Sequence, residues 1–202
     1  MKVFVHKVFQ LFKWPTLFIY LNIIWVIFCA VGLMLFGFFP ATIGLYTVVR
    51  KWVMGEREIP IWETFWHSYT TNFLRNGLMS AVSLLAGYAL LVELNIFWSQ
   101  ENGLYYGISL AVIATFILYT IIMIYFFPLY VHYDSTMGQY IKMSMIMGII
   151  HPFVTVGLLL LVVVFYLVFW TVPLLFILFG ISVPAFIIMK VAYTKFPSDD
   201  KL

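Results

Sequence analysis

In a chain of 202 residues only 9% are charged and 64% are hydrophobic, with a mean hydropathy of +1.05. Ordinary soluble domains carry roughly a quarter charged residues, so a soluble fold is excluded, and the weak ten-residue alternation of a transmembrane barrel is absent. The net charge is only +3, no nucleic-acid partner is expected, and the lone Cys29 excludes an internal disulfide and any cysteine-based metal cluster.

Several apolar runs approach or exceed the ~20 residues that cross a bilayer. The expectation is an all-α polytopic membrane protein, one membrane domain over 1–202 with no separate soluble domain. Residues 3–12 alternate Phe, Val and Leu with Lys2, Lys7 and Lys13 around them. That suits a short basic helix at the membrane surface. No small-residue cleavage site follows, so this segment is expected to stay attached. Trp14 marks an interface, and 17–36 is the first span, with Asn22 its only strongly polar residue and Cys29 a small packing residue.

Gly37, Pro40 and Gly44 mark a hairpin into a second apolar run, 38–53, which ends at Arg50-Lys51. At about 24 Å of helix it is short for a crossing. Positive residues accumulate on the cytoplasmic side. If 38–53 crosses, all eleven Lys and Arg residues fall on one side; if it does not, the three N-terminal lysines face away from the other eight. Six spans with both termini cytoplasmic are expected, the alternative being five plus a re-entrant segment.

Gly55-Glu56-Arg57-Glu58 is a charged turn, and Pro60 suits the start of a helix over 60–75. Ile61, Trp62, Phe65, Trp66, Tyr69 and Phe73 fall on one face at helical spacing, with Glu63, Thr64, His67, Ser68, Thr71 and Asn72 opposite. Too polar to span and too aromatic to be solvated, this helix should lie along the cytoplasmic interface or against a partner. Trp62, Phe65, Trp66, Tyr69 and Phe73 are its candidate docking residues.

The third and fourth spans, 77–98 and 103–130, are joined by an outer turn without a basic residue. Along the fourth, Gly103, Gly107, Ala111 and Thr115 form a small-residue strip on which another helix could approach, within the protein or in a homo-oligomer. A cytoplasmic turn follows, where Asp134 or Ser135 can cap a Met-rich helix over 136–150. The fifth and sixth spans are 152–170 and 171–189, with kinks expected at Pro173 and Pro184. The architecture is three hairpins joined by two cytoplasmic amphipathic helices. Phe38-Phe39-Pro40 recurs as Phe126-Phe127-Pro128, but this topology puts the two runs on opposite sides, so the repeat carries no expectation.

Reactive groups are scarce. Glu93 is the only intramembrane ionisable residue, and it is expected to reach the outer interface beside Asn95 and Glu101. His6, His67, His132 and His151 include no i, i+4 pair. No catalytic, cofactor-binding or metal-binding residues are expected, and the chain is not expected to be an enzyme. Lys7, Lys13, Arg50, Lys51, Arg57 and Arg75 form a basic rim suited to anionic lipid headgroups.

The run Asn22…Trp25, Phe39-Pro40-Ala41-Thr42-Ile43-Gly44, Arg50-Lys51-Trp52, Gly55-Glu56, Trp62…Phe65-Trp66 and Asn72-Phe73 resembles the YesL-like family of bacterial membrane proteins. The resemblance is densest over 17–80. It supplies no catalytic residues; its members are often encoded beside carbohydrate importers of the ABC type. It therefore implies a non-catalytic accessory or assembly subunit in the plasma membrane, with importer permease subunits as partners. No Glu-Ala-Ala coupling loop is present, so the chain does not look like the permease itself. A small independent transporter or channel is the alternative, and a membrane-embedded enzyme the third.

Overall fold

In hydrocarbon the backbone finds no water, so an apolar chain must close its own hydrogen bonds, which a helix does within one segment. The computed structural model describes residues 2–56, 58–98 and 103–196, with side chains from 13 onward, and every regular element among them is a helix. In chain order these are α1 (Lys2–Val31), α2 (Phe38–Val53), α3 (Ile61–Thr70), α4 (Phe73–Trp98), α5 (Gly103–His132), α6 (Met137–Ile150), α7 (Pro152–Thr171), α8 (Pro173–Phe179) and α9 (Ser182–Tyr193). Four stretches are long and apolar enough to cross a membrane: Lys13–Val31 within α1, and α4, α5 and α7. The α8–α9 pair, bent by 57°, brings the number to five if it counts as one span. The expected six is not reached among the described residues, because α2 has only 16 residues.

The N-terminal segment is not a separate surface helix. It runs through Pro15 into the first span as one helix, which stops at Val31 rather than at 36. The chain then turns within six residues. Leu33 and Met34 both have φ 56, a left-handed conformation that disfavours side-chain-bearing residues by about 1–2 kcal/mol each. Gly32 and Gly37 touch backbone to backbone across the turn, and a Cβ at Gly37 would stand 2.7 Å from the Cys29 carbonyl oxygen. Glycine is required there by contact alone.

α2 is the centre of the fold. Residues from Phe39 to Tyr46, with Val48, Val49 and Trp52, are buried in it, and α1, α3, α4, α5 and α9 all pack on it. Its first turn meets α5 at the repeated tripeptide: Phe39 lies 5.6 Å from Phe126 and 4.9 Å from Phe127 between ring centroids, and Pro40 and Pro128 are both fully buried. The expectation that the two runs lie on opposite sides is thus overturned. Tyr46 stacks on Phe127 at 5.7 Å. At the other end of α2, Arg50 Nε donates to His132 Nδ1 at 3.2 Å. Partners of both ends of α2 therefore fall within residues 126–132, about 9 Å of α5.

Other boundaries differ from expectation for local reasons. The helix expected over 60–75 stops at Thr70, where the Thr70 and Thr71 hydroxyls donate back to the carbonyls of Trp66 and His67 at 2.9 and 2.6 Å. Asn72 takes φ 56, which Asn tolerates better than most residues, and Phe73, Arg75 and Asn76 begin α4 instead. Thr136, not Asp134 or Ser135, caps α6, in a capping box with Gln139. Pro173 and Pro184 do not kink a span; each sits in the first turn of a helix, where its missing N–H is not needed. The break falls between them, at Gly180 and Ile181.

Among the described residues, no helix covers the small-residue strip on α5. Gly103, Gly107, Ala111 and Thr115 are exposed, and a Cβ at Gly103 or Gly107 would have nothing within 4 Å. Close approach of α4 to α5 is made instead at Gly87, over which the Tyr119 ring lies, 3.3 Å from where a Cβ would stand.

Candidate functional site

Asn22 projects from the middle of α1 and is fully buried. Its Nδ2 donates to the carbonyls of Phe176 and Ile177 at 3.0 and 2.8 Å. Its Oδ1 accepts from the backbone N–H groups of Ile181 and Ser182 at 2.9 and 3.1 Å. An amide offers two N–H donors and two acceptor lone pairs, and all are used. The helix break between α8 and α9 frees backbone donors and acceptors, as every helix end does. One side chain from another helix takes up four of them. Nearby, the buried Ser182 hydroxyl has no partner among the described residues, and neither has the Trp52 indole N–H. The sequence marks Asn22 as polar in an apolar span, but no sequence signal could have named partners 154–160 residues away.

The aromatic face of α3 divides in two. Phe28 of α1 reaches beneath it, with ring centroids 5.7 Å from Trp62, 5.4 Å from Phe65, 5.6 Å from Trp66 and 4.8 Å from Tyr69. Phe65 is fully buried and lies against Gly44, where a Cβ would come within 3.0 Å of its ring. Tyr69 is buried too and donates to the Phe28 carbonyl at 3.2 Å. Burial pushes its phenol above the usual value, so it remains a donor. Phe73 belongs to α4, half-buried against Tyr69. Only two of the five candidate docking residues stay broadly available: Trp62 is 50% and Trp66 46% exposed. Their rings are parallel within 2° at 6.4 Å.

The basic rim divides likewise. Arg50, half-buried, donates through Nε to His132, whose ring lies against Tyr133, Tyr193 and Phe196. Lys13 and Arg75 are exposed and Lys51 half-buried. The Lys7 side chain and Arg57 lie outside the described residues. A polar cleft of about 250 Å³ opens between Thr47, His67, Ser68, Thr71 and Asn76. Buried Asn76 accepts from the Tyr130 hydroxyl at 2.9 Å and donates to the Thr71 carbonyl at 3.3 Å. Glu93 and Asn95 are exposed on α4; Glu101 lies outside the described residues.

The family described as "Protein of unknown function, DUF624" matches residues 18–94, which contain Asn22, all of α2 and all of α3. The chain is similar to the uncharacterized protein YteU of Bacillus subtilis strain 168, 30% identical over 181 residues, covering 90% of this chain and 81% of that one. It is also similar to two further uncharacterized proteins of that organism. YesV is 32% identical over 139 residues, 67% of this chain and 65% of its own; YesL is 25% identical over 195 residues, 93% and 88%. No solved structure matches the chain.

Proposed function

The chain belongs to the DUF624 family of YesL-like membrane proteins, and from that premise we propose that it is a non-catalytic accessory or assembly subunit of a carbohydrate ABC importer in the bacterial plasma membrane. The importer is what the family resemblance implies. The observation that carries the docking role is the Trp62–Trp66 pair, two parallel indoles held from below by Phe28 and left half exposed. Tryptophan is enriched among residues that carry interface energy. A pair already fixed in place loses little side-chain freedom when a partner covers it.

In this reading α4, α5, α7 and the α8–α9 pair cross the bilayer, while α1 and α2 form a hairpin that enters and leaves on the cytoplasmic side. Contact of Trp14 with Trp52, 5.8 Å between centroids, supports a common side for the two ends of that hairpin. Because the hairpin returns to where it began, the basic residues still gather on one face and both termini are cytoplasmic.

A second reading is favoured by the α8–α9 break: broken helices in transporters often build the substrate site, which would make the chain a small transporter in its own right. Affinity purification from the native host in mild detergent, followed by mass spectrometry, separates the two. The accessory reading expects importer permease subunits with the wild type and their loss with Trp62→Ala/Trp66→Ala. Recovery of the chain alone, with sugar uptake unchanged in a deletion strain, would sink it; uptake by purified chain in liposomes would establish the second.

A further inference from the structure

A groove of about 400 Å³ runs between α4 and α5, walled by Leu78, Val82, Ala86, Ile122, Met123 and Ile141. Both flanking helices are long and apolar enough to cross a membrane, so the open side of the groove meets hydrocarbon. The polar side chains in it are already engaged: Ser83 Oγ and Tyr119 OH lie 3.0 Å apart, and the Tyr119 hydroxyl also reaches the Ser83 carbonyl at 3.0 Å. A polar solute would find no vacant partner there, whereas a flexible hydrocarbon chain needs none.

The cytoplasmic end is different. Leu78 lies one turn beyond Arg75, and Ile141 precedes Lys142; both cations are exposed. The starts of α4 and α6 meet there: Leu78 and Ile141 line the same groove, Asn76 accepts from the Tyr130 hydroxyl at 2.9 Å, and the Tyr130 and Tyr140 rings lie 5.0 Å apart between centroids. We propose that the groove is a binding site for one acyl chain of an anionic glycerophospholipid, whose headgroup lies between Arg75 and Lys142. This narrows the broad basic rim to one place and adds Lys142, which sequence reasoning left out of the headgroup set.

The test uses the full chain, reconstituted in bilayers of equal phosphatidylglycerol and phosphatidylcholine, extracted in mild detergent and weighed by native mass spectrometry. Basic residues beside an anionic surface each contribute about 1 kcal/mol, so the wild type should retain one phosphatidylglycerol with a preference of roughly tenfold or more over phosphatidylcholine. Arg75→Gln/Lys142→Gln should bring the preference near parity while a lipid is still retained. Ala86→Trp, at an exposed groove position, should reduce retention of both lipids without moving the thermal unfolding midpoint. Unchanged retention in Ala86→Trp, unchanged preference in the double variant, or a lipid-free dimer as the wild-type species would each overturn the proposal.

Discussion

At Asn22 a single amide replaces the hydrogen bonds that a continuous helix would have made for itself. Hydrogen bonds between helices in lipid average only about 0.6 kcal/mol each, because the separated helices find other partners. The four groups here are the loose ends of a break, and a buried group left unsatisfied costs about 1–3 kcal/mol. Asn22→Leu keeps the branched shape, with a larger apolar end, and removes the bonds, so it should destabilise the protein by about 2–4 kcal/mol, measured as reversible unfolding in mixed micelles. Unchanged stability would mean that the α8–α9 break closes into a straight helix when unclamped. Half of this arrangement is legible in the sequence. A lone amide in an apolar span announces a buried partner, but Pro173 and Pro184 draw attention to the wrong positions. The break lies at Gly180 and Ile181, where Asn22 supplies from outside what the local sequence lacks.

Among the elements, α3 shows what helical periodicity resolves and what it leaves open. The 3.6-residue spacing places its aromatics on one side, but that side is broad, and Phe28 and Gly44 on other helices decide which rings point inward. Phe65→Ala should therefore cost about 3–5 kcal/mol, the usual range for a buried ring, and lower the yield of folded protein. Trp62→Ala/Trp66→Ala should leave the thermal midpoint within a few degrees while abolishing partner recovery; a loss of stability equal to that of Phe65→Ala would mean the indoles are core. The small-residue strip on α5 is a parallel case, because spacing shows where a helix could approach and not whether one does. Gly87→Leu should disturb the α4–α5 pairing, where Tyr119 occupies the space, and Gly107→Leu should leave the monomer's stability unchanged within about 0.5 kcal/mol. If Gly107→Leu alters sedimentation instead, the strip is a contact between copies.

For the whole molecule, hydropathy and charge predict a multi-pass bundle and most helix positions, yet they do not fix the depth of α2, because depth in a membrane is a relation between helices. Its 16 residues are apolar and end in cations, just as a short crossing would. What the sequence hides is its neighbours. Phe39 packs on Phe126 and Phe127, its N–H reaches Ser80 Oγ at 3.4 Å, and Arg50 bonds His132. Residues 126–132 close α5, and Ser80 is seven residues from the start of α4, so both ends of α2 lie toward the same end of the α4–α5 pair. The turn before it lies there too: the Phe36 carbonyl oxygen is 3.1 Å from where a Cβ on Gly77 would stand. If α4 and α5 cross with the proposed sidedness, the α1–α2 hairpin with Leu33 and Met34 at its tip stays in the cytoplasmic part of the bilayer. In a Cys29→Ala background, Met34→Cys should resist a membrane-impermeant maleimide added outside intact cells, while Gly103→Cys at the outer start of α5 should react. Met34 is 70% exposed on the protein surface, so resistance would report its depth and not its packing. Reaction at both positions would carry the tip to the outer face and make α1 and α2 full crossings, six in all.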